Sequence, residues 1–279
     1  MPDIVHTVSE LRHHVSRWHA TGLKVAVVPT MGALHDGHLT LVREGLKHAD
    51  KVIVSIFVNP KQFAANEDLG KYPRTQEQDV EMLASVNADL VYLPAAESIY
   101  APNFATTIHM AGPALAGLED KFRPHFFDGV ATIVAKLFVQ SQADIAMFGE
   151  KDYQQLIVVT QMARDLDIPI TVIGIPTVRD EDGMAKSSRN RYLTKHERHQ
   201  STAIIRSLQQ AAEKIRNGKD PQSATKAASR SLTTLGFKVD YVAARNALTL
   251  ALPKSGDEPL RLLAAAWMGT TRLIDNIAV

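Results

Sequence analysis

The 279-residue chain contains no cysteine, which excludes disulfide bonds and thiolate catalysis and is compatible with a reducing compartment. It also lacks a surplus of charge, with 31 basic against 30 acidic residues and a formal net charge of +1. No general attraction to nucleic acid or to an anionic membrane follows, so any anion binding must be local. No apolar stretch approaches the roughly 20 residues that cross a bilayer. The start, Met1-Pro2-Asp3-Ile4-Val5-His6, lacks the basic-then-apolar character of a signal peptide, so a soluble cytoplasmic protein is expected. Repeats and low-complexity tracts are missing too. What is present is a hydrophobic fraction of 45%, enough for a proper core, in a length that suits one large or two unequal domains.

Strand-like runs at 23–29, 51–58, 89–93, 144–148 and 170–175 alternate with helical patterns at 37–48, 75–87, 129–142 and 152–167. This alternation predicts an α/β fold, a Rossmann-like parallel sheet with helices on both faces. Beyond residue 176 the texture changes. Long helical patterns at 194–217 and 223–236 precede strand-like 238–242 and 260–267, which predicts a smaller C-terminal α+β domain. The expected division is 1–176 and 177–279. Segments 59–74 and 94–128 read as loops long enough to carry function.

Two clusters carry the chemistry. The first is His35-Asp36-Gly37-His38, which follows the apolar run Leu23–Val28 and Pro29-Thr30-Met31-Gly32 at a strand-to-helix junction. Such junctions offer unpaired backbone N–H groups and the positive end of a helix dipole, and both favour phosphate oxygens. Surface histidines, or half of a metal site, are the alternatives, although no acidic or histidine cluster elsewhere supplies further ligands. The second cluster is Lys186-Ser187-Ser188-Arg189-Asn190-Arg191, after Arg179-Asp180-Glu181-Asp182-Gly183. Hydroxyls flanked by cations can donate to several phosphate oxygens, and a guanidinium can bond two at once. A solvated basic turn is the alternative for this cluster taken alone.

Together the clusters resemble the two signature motifs of the nucleotidylyl transferase superfamily, whose fold is shared with class I aminoacyl-tRNA synthetases. Further segments narrow the resemblance: Pro29 to His38, Ser55-Ile56-Phe57-Val58-Asn59-Pro60-Lys61-Gln62-Phe63, Tyr72-Pro73-Arg74-Thr75, Phe148-Gly149-Glu150-Lys151-Asp152-Tyr153-Gln154-Gln155, Ser187 to Asn190, and Ala265-Ala266-Trp267 with Arg272 to Asn276. In this order, over essentially the whole chain, they look like the pantothenate synthetase (pantoate–β-alanine ligase) family. The resemblance implies ATP-dependent condensation of pantoate with β-alanine through a pantoyl adenylate, with Mg²⁺ as cofactor, and a homodimer. A nucleotidylyltransferase using a phosphorylated acceptor would have no reason to carry the Asn-Pro-x-Gln-Phe and Gly-Glu-Lys-Asp-Tyr-Gln-Gln segments. A non-catalytic nucleotide-binding regulator could keep the phosphate donors.

The resemblance also implies residue roles. His35, His38, Lys151, Ser187, Ser188 and Arg189 are the expected catalytic set, with His38 as proton donor and Lys151 at the α-phosphate. The ATP-binding set adds Met31, Gly32, Ala33, Leu34, Asp36, Gly37, Gly149, Glu150, Asp152, Val178 and Lys186. Gln62 and Gln155, with Asn59 and Met31, are expected to hold pantoate and β-alanine, and Asp79 is a candidate Mg²⁺ ligand. Three departures from the family pattern stand out. Arg123-Pro124-His125-Phe126-Phe127 replaces the common Arg-Pro-x-His-Phe, Lys186 replaces an apolar residue, and Gln78 stands beside Asp79 where another acid is common.

Overall fold

Val25–Thr30 is a strand because a run of β-branched and small apolar residues can be buried on both faces of a sheet, and its first four residues are fully buried. It is the hub of the first of two compact units of the chain. The computed structural model describes residues 1–63, 69–254 and 259–279; residues 64–68 of the expected loop 59–74 lie outside them. In chain order the elements of the larger sheet are β1 (Asp3–Val5), β2 (Val25–Thr30), β3 (Lys51–Ile56), β4 (Leu90–Tyr92), β5 (Ile145–Gly149) and β6 (Thr171–Ile175). The helices over this part of the chain are α1 (Val8–Ala20), α2 (Asp36–His48), α3 (Gln76–Ser85), α4 (Ala96–Ile99), α5 (Glu119–Phe122), α6 (Phe126–Ser141) and α7 (Tyr153–Asp165).

Strand order is β1-β4-β3-β2-β5-β6, and every pairing is parallel, with helices on both faces of the sheet. The order reverses between β2 and β5, and a parallel sheet binds ligands at the carboxyl ends of the strands beside such a reversal. Val28, Val54, Val91 and Met147 from four neighbouring strands share one core with Leu39 and Val42 of α2 and Leu83 of α3.

The second unit comprises Thr177–Val279 together with two earlier segments, Gly112–Phe122 and Lys151–Ile157. Its elements are α8 (Lys195–Ser201), α9 (Ala203–Arg216), α10 (Pro221–Thr234), β7 (Lys238–Asn246), β8 (Leu260–Met268) and β9 (Thr271–Ala278), and the three strands form an antiparallel sheet in the order β7-β8-β9. The expected helix 194–217 is broken at Thr202 into α8 and α9. β9 was not expected at all, because Asp275-Asn276 interrupts its apolar alternation.

The two faces of this small sheet differ in kind. Leu262, Ala264, Ala266, Leu273 and Ile277 pack with Leu208, Ala212 and Leu232 of α9 and α10. The opposite face is buried and mixed, with Leu263 packed on Leu118 and Ile157 beside a polar cluster. Arg272 on β9 bonds both oxygens of Glu119 at 2.7 and 2.9 Å and one oxygen of Asp240 at 2.8 Å. Tyr241 Oη donates to Glu119 at 2.8 Å and Trp267 Nε1 to Asp240 at 3.2 Å. Burial and the neighbouring Glu119 push the Tyr241 phenol well above its ordinary range, which keeps it a donor. Through Glu119, segment 112–122 is bonded to a strand more than a hundred residues later.

Removing the cation from this cluster leaves two buried carboxylates unpaired. Arg272→Met is therefore expected to destabilise the second unit by about 3–5 kcal/mol. Urea unfolding followed by Trp267 emission in a Trp18→Phe background measures this, and an unchanged midpoint would contradict the assignment.

Candidate active site

The site is built from a turn that costs energy. After β2 the chain takes positive φ at Gly32 (82°) and again at Ala33 (51°). Glycine accepts this freely, whereas an alanine there is strained by roughly 1–2 kcal/mol. Asp79 of α3 offsets the strain. Only 2% exposed, it accepts the Ala33 amide on Oδ2 at 3.0 Å, and on Oδ1 the Leu34 amide at 2.9 Å and the Thr75 hydroxyl at 3.2 Å. A side chain at Gly32 would stand 3.1 Å from the same carboxylate. Both oxygens accept from protein donors, so Asp79 organises the loop.

The loop delivers His35 in an extended conformation as the N-cap of α2. His35 Nδ1 accepts the Gly37 amide at 3.1 Å, and His38 Nδ1 accepts the His35 amide at 3.3 Å. This is a reciprocal capping box made by two imidazoles in place of a hydroxyl and a carboxylate. It explains the spacing, since three residues separate an N-cap from the side chain that reaches back to it. It also explains Gly37, where a Cβ would lie 2.7 Å from the His35 ring. The rings are 4.2 Å apart between centroids. With Nδ1 accepting, each neutral ring carries its proton on Nε2 and is itself a hydrogen-bond donor. The sequence suggested unpaired helix amides as the anion contacts. Instead, the amides of Gly37 and His38 are bonded to His35, through its ring and its carbonyl.

Asn59, expected to touch substrate, is 1% exposed and serves the backbone. Its Nδ2 donates to the Gly129 carbonyl at 3.1 Å, and its Oδ1 accepts from Tyr100 Oη at 2.8 Å and from the Lys61 amide at 3.3 Å. Burial pushes the Tyr100 phenol up to about 12, so this donor persists through neutral and mildly alkaline pH. Asn59 thereby caps the short 3₁₀ turn Pro60–Gln62. The Gln62 side chain is half-buried, and its carboxamide finds no hydrogen-bond partner among the described residues. Gly149 ends β5, and Glu150 follows it in the first unit. Met31 and Asp36 flank the Gly32 turn and the His35 cap, half-buried and exposed respectively.

The remaining expected residues belong to the second unit. Lys151 pairs with Asp152 at 3.5 Å, and its carbonyl accepts from Nδ2 of Asn276 at 2.9 Å. Asn276, 3% exposed on the mixed face of the sheet, also accepts from Arg261 Nε at 2.6 Å. It was not expected as a site-building residue; the polar pair inside an apolar strand was the available signal. Gln154 is buried and spends its amide on the Pro113 carbonyl and the Glu119 amide. Gln155 beside it is half-buried and finds no hydrogen-bond partner among the described residues.

Residues 178–190 form a cross-braced loop. The Lys186 amide bonds the Val178 carbonyl, and Arg179 is clamped by both oxygens of Asp275 at 2.8 and 2.9 Å. Lys186 Nζ lies 3.1 Å from Asp180, whose other oxygen is bonded by Arg198. Arg198 also grips Asp182 at 2.7 Å and holds that carboxyl below its ordinary range. Ser187 caps the 3₁₀ turn Ser188–Tyr192 by accepting the Arg189 amide. Asn190 Nδ2 ties the turn back to the Ala185 carbonyl. His125 takes a left-handed φ of 67° and is exposed. Among the described residues, no group of three or more His, Asp or Glu side chains is placed to hold a metal ion.

Asp79→Ala is expected to lose about 3 kcal/mol or more of stability, since two amides and a hydroxyl lose a charged acceptor. Thermal melts with and without Mg²⁺ check the role. An Asp79→Asn variant should respond to Mg²⁺ as the parent chain does, and a response lost only in the variant would favour the metal reading instead.

The family model described as Pantoate-beta-alanine ligase matches residues 3–278. The "Pantothenate synthetase" of Bradyrhizobium sp. (strain BTAi1) is 55% identical over 280 residues, covering 100% of this chain and 99% of that protein. A crystal structure of pantothenate synthetase from Thermus thermophilus superposes with a TM-score of 0.92 at 41% identity, covering 99% of this chain and 98% of that one. A pantoate-beta-alanine ligase from Francisella tularensis, complexed with "Beta-gamma ATP and Beta-alanine", gives 0.82 at 31% identity, over 100% and 98%. The chain belongs to the pantoate–β-alanine ligase family.

Proposed function

We propose that the protein joins pantoate to β-alanine at the expense of ATP, in two displacements that need no protein nucleophile. In the first, a pantoate carboxylate oxygen attacks the α-phosphorus, the bond to the β-phosphate oxygen breaks, and pyrophosphate leaves pantoyl adenylate behind. In the second, the neutral amine of β-alanine attacks the acyl carbon, the acyl–oxygen bond breaks, AMP leaves, and the amine proton passes to solvent. Such chemistry is catalysed by positioning and by stabilising developing charge.

The observation that carries this reading is the imidazole capping box of His35 and His38. It fixes two Nε2–H donors at the start of a helix beside the reversal of strand order, where a triphosphate is also favoured by the helix dipole. His38 donates to the departing pyrophosphate. Lys151 stabilises the α-phosphate, and Ser187, Ser188 and Arg189 contact the phosphates. Met31–His38, Gly149, Glu150, Asp152, Val178 and Lys186 make up the nucleotide contacts. Gln62 and Gln155 hold pantoate and admit β-alanine. Neither side-chain amide finds a partner among the described residues, which supports this, because each offers both donor and acceptor to hydroxyl and carboxylate groups. Asn59 supports Gln62 through the turn it caps.

Among the described residues no group of three or more His, Asp or Glu side chains is placed to hold Mg²⁺. The ion, when bound, would supply positive charge to the phosphates while taking few protein ligands. A cytoplasmic homodimer is the expected working form, after the family. No helix among the described residues is long and apolar enough to cross a membrane.

Exchange of labelled pyrophosphate into ATP tests the reaction. Exchange that needs pantoate but not β-alanine is expected, and none at all would refute adenylate formation. His38→Ala should lower that exchange by roughly 10²–10³. It should leave aminolysis of supplied pantoyl adenylate far less affected, and equal losses in both half-reactions would remove His38 from the donor role.

A further inference from the structure

Gln62 ends a three-residue turn, too short to fix its own orientation. Asn59 caps the turn at its start. At the other end Arg123 Nη2 donates to the Gln62 carbonyl at 2.9 Å. The guanidinium lies over the Phe126 ring, 3.7 Å from its carbon to the ring centroid. Phe126 is the first residue of α6, and it stands where the resembling family commonly has histidine. The same helix backs the turn closely, since a Cβ at Gly129 would collide with the Lys61 carbonyl and come within 3.2 Å of the Gln62 amide nitrogen.

A carbonyl held by a guanidinium fixes the peptide plane that follows Gln62, and through it the direction in which the side chain leaves the backbone. A guanidinium can stack on a ring and donate in its own plane together, which an ammonium cannot do. We propose that Arg123 is a positioning residue that sets the aim of the Gln62 amide, with Phe126 as the platform that holds the guanidinium. The proposal rests on the reading of Gln62 as a pantoate contact.

Initial rates with pantoate and ATP varied separately test it on the full-length protein. Loss of one charged hydrogen bond of this kind is expected to raise KM for pantoate about 10- to 100-fold in Arg123→Ala. KM for ATP and the melting temperature should stay near those of the parent chain. Phe126→Leu should raise KM for pantoate by less, with the same selectivity, and Arg123→Lys should recover only part of the loss. Gln62→Ala is the reference. If it leaves KM for pantoate unchanged, the reading of Gln62 fails. If it raises that KM while Arg123→Ala does not, the positioning role alone is overturned. The double variant Arg123→Ala/Gln62→Ala should be no worse than Gln62→Ala, and multiplied effects would also overturn the proposal. Equal rises in both KM values with a lowered melting temperature would show a general structural role and refute it. Should Arg123→Ala fail to fold, Phe126→Leu decides by the same selectivity.

Discussion

One buried carboxylate holds the first unit's site in shape. Asp79 is on α3, yet what it bonds is the loop after β2, and without it the left-handed residue Ala33 would have no compensation for its strain. The dependence runs in order. The Gly32–Ala33 turn brings His35 to the end of α2 in an extended conformation. His35 then caps the helix with its ring, and His38 answers with its own. The two candidate side chains are thus oriented by the bonds that satisfy the helix terminus, so their orientation is set by folding itself. A serine and a glutamate could cap the helix equally well, but they would present an acceptor surface there. Imidazoles cap through Nδ1 and keep a donor on Nε2.

The second unit solves a different problem. Its small sheet has only one face covered by its own helices, and its other face combines a buried charge cluster with an apolar patch around Leu263. That face is buried because two earlier segments of the chain lie on it. Glu119 brings in residues 112–122, and Asn276 and Arg261 hold the backbone and ring of residues 151–153. An arginine with two carboxylates is costly to bury, and the cost is repaid only by good geometry and further hydrogen bonds. Arg272 directs each of its three nitrogens at a carboxylate, two at Glu119 and one at Asp240. A face carrying such a cluster is more selective about its partner than an apolar one, because a segment in the wrong register would leave charges unpaired. Lys151 is therefore placed by residues that come more than a hundred positions later.

Much of this could be read from the chain before its structure. Five of the six parallel strands follow from runs of Val and Ile between turn residues, and the His-x-Gly-His spacing marks both a helix start and a candidate site. β1 is only three residues long and has no period to read. α1 was legible but missed, since Val8, Leu11, Val15 and Trp18 recur at helical spacing and Thr7 and Glu10 form an ordinary capping box. The start of α6 was placed three residues late, because a helix that opens after a left-handed histidine has no side-chain cap to mark it. β9 was hidden by Asp275 and Asn276. Their burial is explained only by partners, Arg179 and the Lys151 carbonyl, that no local pattern encodes.

The amides show why side-chain chemistry alone does not locate a binding residue. Asn59 and Gln62 occur in one motif, and Gln154 and Gln155 are adjacent, so nothing in the chain separates them. A helix turns about 100° per residue, which sends Gln154 and Gln155 to different surroundings. Gln154 meets the Pro113 carbonyl and the Glu119 amide and is consumed by them. Asn59 is consumed likewise by Gly129, Tyr100 and Lys61. Half-buried Gln62 and Gln155 are left with donors and acceptors unused among the described residues. An amide shielded from part of its water and given no protein partner is poorly satisfied, whereas a consumed amide is not. Among the described residues, the amides that brace the backbone are told apart from Gln62 and Gln155 by what they already touch.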